Sequence, residues 1–234
     1  MSKEGINMIG GDSSVCVSQD SYDAIMCAAG SGIQAVDMIL NNEATKIFCN
    51  IRPPGHHAHR GHGEGFCIFN NVMIAANYAS KHYKVAIIDW DVHHGNGTES
   101  LINRENDQDE DLNILLINIQ QSFHTIWPGT GKNNLSNYNL SPGEGDYAVK
   151  ELFKMIIPRL EKYQPELFII SCGFDAHRED KIAQLNYTSK LYGWMTKKLL
   201  KICPNMISML EGGYDMEALS ESVVCHVNAL IKID

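Results

Sequence analysis

Five short, almost continuously apolar runs limit how this chain can fold. They are KIFCNI (46–51), KVAIID (84–89), NILLINI (113–119), ELFIIS (166–171) and NMISMLE (205–211). Runs of this length with no polar alternation read as strands covered on both faces. Segments 21–41, 68–82, 144–163, 187–202 and 215–232 carry helical periodicity instead. Leu191, Trp194, Met195 and Leu199 share one helical face, as do Leu219, Val223, Val227 and Leu230, and both stripes read as core. Strand–helix alternation over 234 residues predicts a single α/β domain spanning 1–234, an open parallel sheet flanked by helices. The acidic stretch 103–113 reads as a solvated loop. The Gly/Pro/Asn-rich stretch 128–146 reads as a long functional or mobile one.

Parallel sheets bind ligands at the C-terminal ends of their strands. Here those ends run into RPPGHHAHRGHGEGF, DWDVHHGNG, CGFDAH and EGGYD. Each holds groups that bind metal or transfer protons, and four such loops converging is hard to assign to chance. Asp89, Asp91 and His93 are spaced by two, so an extended backbone puts them on one face. With Asp175 from a neighbouring strand end, these donors suit Zn²⁺, with Fe²⁺ or Co²⁺ as alternatives. Spacing leaves open whether Asp89 or Asp91 is the ligand, and whether His94 or His177 joins. The adjacent His56 and His57 fit a general base and general acid. A rival metal site from His56, His57, His59 and His62 lacks standard zinc spacing, and His59 and His62 are expected on a flexible, exposed loop.

Composition excludes some partners. A net charge of −9 and a pI near 5.5 argue against direct nucleic-acid binding. The seven cysteines show no CxxC spacing and read as buried free thiols of a reducing compartment. No apolar run reaches the roughly 18 residues of a membrane span, and the N-terminus lacks a signal-peptide core. The expected location is cytoplasmic, or nuclear in a eukaryote.

RPPGHHA, GFCIFNNVMIAA, IDWDVHHGNGTE, WPGTG, SCGFDAH and LEGGY occur in an order that resembles the zinc-dependent histone deacetylase family. The likeness runs from about Asp12 to the C-terminus. It is greatest to the class II branch and to bacterial acetylpolyamine amidohydrolases and acetoin-utilisation deacetylases. It implies the fold shared with arginase and hydrolysis of an acetylated amine, either an acyl-lysine peptide or protein or an acetylpolyamine. A non-catalytic acyl-lysine-binding scaffold is the alternative of another class. By resemblance, Asp91, His93 and Asp175 are the zinc ligands. Asp89 pairs with His56 and suits a structural K⁺, although Asn118 and Gln120 stand where many members have Ser and His. His57 is the general base, backed by Asn96, and Tyr214 polarises the scissile carbonyl. Phe66 matches one tunnel wall, and Trp127 stands at the facing wall where Phe is usual. Gly65 and Gly173 allow close backbone approach, and Ile182 lies at the rim where polyamine-selective relatives can place an acid. His94 is expected to pack or hydrogen-bond structurally. Members usually carry a first strand and rim loop before the position of Met1. The family segment is thus expected to be shortened here, with Asp12 or Ser13 its remnant and the sheet edge open to a homo-oligomer or partner chain.

Overall fold

A computed structural model describes residues 7–8, 14–106 and 113–231, so Asp12 and Ser13 lie outside the described residues. The expected strands all form: β3 (Lys46–Cys49), β4 (Val85–Asp89), β5 (Ile114–Gln121), β7 (Leu167–Cys172) and β8 (Met206–Leu210). They join β6 (Asn137–Leu140) in one six-stranded sheet of order β3-β8-β7-β4-β5-β6. Every pairing in it is parallel. The short strands β1 (Asn7–Met8) and β2 (Cys16–Val17) pair separately and antiparallel.

Helices cover both faces, as continuous apolar strands require. On β4, Ala86 and Ile88 face one core with residues of α4 (Asp146–Tyr163), α5 (Ser189–Leu200) and α6 (Met216–Ile231). Val85 and Ile87 face the other, with α1 (Ser21–Leu40), α2 (Asn71–Ala79) and Ile102 of α3 (Asn96–Asn106). Truncating a central side chain such as Phe168, Ile170 or Ile207 to Ala costs about 2–5 kcal/mol.

The structure corrects several expectations. α3 replaces the first part of the expected acidic loop. β6 arises within the stretch read as a long loop, pairing Asn118 with Asn137 in register. α2 begins at Asn71 because the Asn70 side chain accepts the Met73 N–H at 2.9 Å and caps the helix. Cys16 and Cys27 are exposed rather than buried. Contrary to the reading that no run is long enough, α1 has the length and composition of a membrane span, at mean hydropathy 1.3. Its small residues Ala28, Ala29, Gly32 and Ala35 are buried, and the Gly32 backbone is so close to Ala75 and Met209 that a Cβ would collide with both. That apolar stripe therefore has a use inside the fold.

Candidate active site

The strand ends bring three loops into contact. Phe174 N–H donates to Gly212 C=O at 2.8 Å, tying the end of β7 to the end of β8. Gly212 N–H donates to Asp91 Oδ2 at 2.9 Å, and Val92 N–H donates to Asp175 Oδ1 at 3.0 Å. Asp91, His93 and Asp175 thereby offer ligand atoms within 4.8 Å of one another. His93 Nδ1 is 3.0 Å from Asp91 Oδ1 and 3.1 Å from Asp175 Oδ2. Asp89 is absent from this group: its Oδ1 accepts the Asp91 N–H at 3.1 Å, and its Oδ2 accepts His56 Nδ1–H at 2.9 Å. The alternation of Asp89, Asp91 and His93 therefore does not place all three on one face, because β4 ends at Asp89 and the chain bends.

The trio's electrostatics favour a cation. Burial would lower His93, yet hydrogen bonds and charge from Asp175 and Asp91 lift it to about 10. Burial and the neighbouring Asp91 push Asp175 up to about 6. For Asp91, burial acts upward but is outweighed by His56 and His93, which hold it well below the carboxylate range. Asp175 Oδ2 is buried and faces the His93 imidazole at 3.1 Å. Buried carboxylates this close need a proton or a metal between them, and two carboxylates with one imidazole fit a divalent transition ion. Asn118 Oδ1 and Ser171 Oγ, on the strands paired with Asp89, are also buried without partners. Oxygens of this kind suit a hard cation such as K⁺.

The two adjacent histidines diverge. His56 is held well above its ordinary pKa: burial opposes this, but Asp89, Asp91 and Glu211 surround it with negative charge. His57 is held well below, by burial and then by its neighbour His56. His57 Nδ1 lies 2.7 Å from Asn96 Oδ1. The Asn96 amide nitrogen donates to Glu64 Oε1, so its oxygen must face His57 and accept. His57 therefore carries its proton on Nδ1 and keeps the Nε2 lone pair.

Above these groups lies a cavity of about 480 Å³ lined by His57, His93, Gly65, Phe66, Trp127, Ile182, Tyr214, Ser14, Thr125 and Ile126. Burial gives its depth: His57 and His93 are buried, whereas Phe66, Trp127, Ile182 and Tyr214 are 37–47% exposed. The Trp127 ring stands 4.6 Å from His57, and Phe66 stands 6.1 Å from Tyr214. Gly65 has φ +56°, and a Cβ there would strike Trp127 and His57. Phe66 follows at φ +66°, a conformation that costs about 1–3 kcal/mol in a side-chain-bearing residue and marks functional segments. The Tyr214 hydroxyl is pushed above its ordinary pKa, first by burial and then by Asp175 and Asp91, so it remains a donor.

Of the five residues expected to bind substrate, Gly65, Phe66, Trp127 and Ile182 line the cavity and Gly173 does not. Gly173 stands behind Asp91, where a Cβ would collide with that side chain. His94 is structural as expected: Nδ1 is 2.8 Å from Thr130 Oγ1 and Nε2 is 3.0 Å from Glu99. His177 lies elsewhere, beside Ser189. The loop is exposed at Arg60, Gly61 and His62 as expected, but His59 itself is half-buried against Ser100 and Glu64.

Sequence reasoning missed three carboxylates. Glu211 is fully buried; its Oε2 accepts the Gly55 N–H at 2.7 Å and the His56 N–H at 3.2 Å. Burial pushes it up to about 7, against the pull of His56 and the Gly55 N–H. Asp180 accepts from Tyr214 N–H at 2.6 Å and Ile182 N–H at 3.1 Å, joining two cavity loops. Glu64 orients Asn96. The presence of Glu211 in EGGY, next to a catalytic candidate, was the only cue to any of them.

A parallel sheet whose strand ends gather buried carboxylates and paired histidines defines a candidate metal and proton-transfer site on an α/β scaffold. The histone deacetylase domain model matches residues 1–230, and the chain belongs to this family. It is 39% identical over 224 residues to a protein of Synechocystis sp., an alignment covering 91% of this chain and 71% of that one. It is 32% identical to the polyamine deacetylase HDAC10 of Danio rerio, covering 91% of this chain and 34% of the relative. The crystal structure of the HDA15 HD domain superposes with a TM-score of 0.84 at 32% identity, covering 95% of this chain and 67% of that one. The chain spans 14%, 54% and 59% of three further histone deacetylase relatives.

Proposed function

We propose that this protein hydrolyses the amide of an acetylated or acylated lysine in peptides or proteins, releasing the free ε-amine and a carboxylate. The observation that carries this reading is a cavity lined at once by His57, with its Nε2 lone pair, by His93 of the Asp91–His93–Asp175 trio and by Tyr214. Asp91, His93 and Asp175 would hold Zn²⁺, with Fe²⁺ or Co²⁺ as substitutes. Such an ion supplies Lewis-acid polarisation of the acyl oxygen and acidifies a water. His57 Nε2 takes the proton of the attacking water and later returns one to the departing amine. Asn96 holds the tautomer that makes this possible. The Tyr214 hydroxyl donates to the oxygen on which negative charge develops. His56, its charge stabilised by Asp89 and Glu211, adds positive charge beneath the site. Phe66 and Trp127 flank the apolar lysine stem and keep water out. A K⁺ near Asp89 would serve a structural role.

Acetylpolyamine hydrolysis is the second reading, prompted by the polyamine deacetylase relative. It is less favoured because no carboxylate occurs among the described cavity-lining residues, and Ile182 supplies none at the rim. The test measures hydrolysis of an acetyl-lysine peptide and an acetylpolyamine by protein of known metal content. About one divalent ion per chain is expected in the buried trio, with turnover of the peptide the faster. Metal-replete protein that turns over neither substrate would overturn both readings and leave a non-catalytic acyl-lysine binder.

A further inference from the structure

We propose a second divalent-cation site, outside the cavity, made by His59, His62 and Glu64 on the loop between β3 and α2. One ring nitrogen from each histidine and one carboxylate oxygen lie within 4.8 Å of one another. Two imidazoles with one carboxylate form a three-ligand set that holds zinc and leaves a position for water.

The hydrogen bonds around His59 aim a lone pair into this group. Ser100 Oγ–H donates to Gly97 C=O at 2.8 Å. Its oxygen, 2.8 Å from His59 Nδ1, must then accept from that nitrogen. His59 Nε2 is left as the lone pair, 3.3 Å from Glu64 Oε1. Two acceptors thus face each other, and the Asn96 amide nitrogen donates to both, to Glu64 Oε1 and, at 3.2 Å, to His59 Nε2. A separation of about 3.3 Å is the edge of a tetrahedron with metal bonds near 2.0–2.1 Å. His62 stacks on His59 at 4.5 Å between ring centroids. Its side chain is exposed, so rotation about its own bonds can supply the third nitrogen. Ser100 plays the outer part that fixes a ligating histidine's tautomer and orientation.

The site's consequence rests on the role proposed for His57. Asn96 spans the two regions: its oxygen holds His57 Nδ1, and its nitrogen is held by Glu64. A cation on Glu64 competes with the Asn96 amide for the same oxygen. The amide then loses its anchor and His57 its fixed orientation, so loading this site lowers turnover while the buried trio stays filled.

The experiment titrates full-length protein, already carrying its first metal, with Zn²⁺ alone. Binding is followed by calorimetry and by metal quantification. Wild type is expected to take a second equivalent that His62→Ala and Glu64→Gln do not. Ser100→Ala should weaken it about 10–100-fold, as loss of an outer partner does. His62→Ala should retain the first metal and basal turnover while escaping zinc inhibition. Absence of a second equivalent in wild type, or its persistence in His62→Ala, would overturn the site. Stoichiometry is read without substrate, so failure of the deacetylase reading leaves this test intact. A second equivalent bound without effect on turnover would overturn the link to His57 alone.

Discussion

The cavity floor and the sealed layer between the sheet and helices α5 and α6 both contain a buried histidine held neutral. On the floor His57 donates from Nδ1 to Asn96 and lines the cavity with its other nitrogen free. In the sealed layer His226 is fully buried among Phe48, Trp90 and Phe174. Thr196 Oγ1–H is committed to Tyr192 C=O at 2.7 Å, so it accepts His226 Nδ1–H at 2.7 Å. His226 Nε2 then accepts the Ser208 hydroxyl at 2.9 Å. Burial lowers the pKa of both rings. Low basicity alone therefore does not make a catalytic base; an unengaged nitrogen facing a ligand cavity does.

Activity separates the two regions most sharply. His57→Ala is expected to lower kcat/KM at least ~10²-fold, as loss of a general base does. His226→Gln should leave the kinetic constants of the folded enzyme near those of wild type. Steady-state kinetics with an acetyl-lysine peptide decides this, and equal losses in both variants would erase the distinction.

Stability separates them in the opposite sense. Burial depresses His226 to about 3 from an unfolded value near 6.5. Below 6.5 the unfolded chain binds a proton that the folded chain refuses. The stability from keeping this ring neutral is thus complete above about pH 6.5 and is lost as pH falls toward 3, at up to about 1.4 kcal/mol per pH unit. Unfolding free energies from urea titrations should fall between pH 6.5 and 4.5 by roughly 2 kcal/mol more for wild type than for His226→Gln, after allowance for relaxation. Parallel curves for the two proteins would show that the ring is not kept neutral.

A third variant probes what stands behind the base. Asn96→Ala removes the acceptor that fixes the His57 tautomer and should cost about tenfold in kcat, the worth of one good hydrogen bond. Asn96→Asp restores an acceptor but adds negative charge, so it should raise the His57 pKa and move the acid limb of kcat/KM to higher pH. A merely structural Asn96 would lower stability without moving that limb.

The sheet was legible in the sequence because its five expected strands are buried on both faces, and continuous apolar runs have few other uses. β6 was not, because NYNL at the sheet edge carries two asparagines and reads as loop, although Asn137 and Leu140 are buried there. α3 was hidden by Gly95, Gly97 and the acid-rich segment that follows, which read as turn and loop. Placing Asp91, His93 and Asp175 together required the family resemblance, since spacing by two could not say that the chain bends after Asp89. Glu211 and Glu64 were illegible for another reason. Glu211 meets Gly55 at a separation of 156 positions, and Glu64 meets Asn96 at a separation of 32. Only tertiary proximity gives those carboxylates their work.

The rim extends the comparison outward to a place where water is plentiful, and the expected effect is correspondingly small. Ile182 is 43% exposed and lines the cavity mouth. A carboxylate there would attract the distal ammonium of an acetylpolyamine, but solvent and salt screen an exposed pair to about 1 kcal/mol or less. Ile182→Glu should therefore raise kcat/KM for an acetylpolyamine by no more than about fivefold. It should do so through KM, since the charge is far from the reacting carbonyl. The gain should shrink as ionic strength rises from 0.01 to 0.15 M, where the Debye length falls from about 30 to 8 Å. A gain carried by kcat, or one indifferent to salt, would mean that residue 182 acts on the floor of the cavity and not only at its mouth.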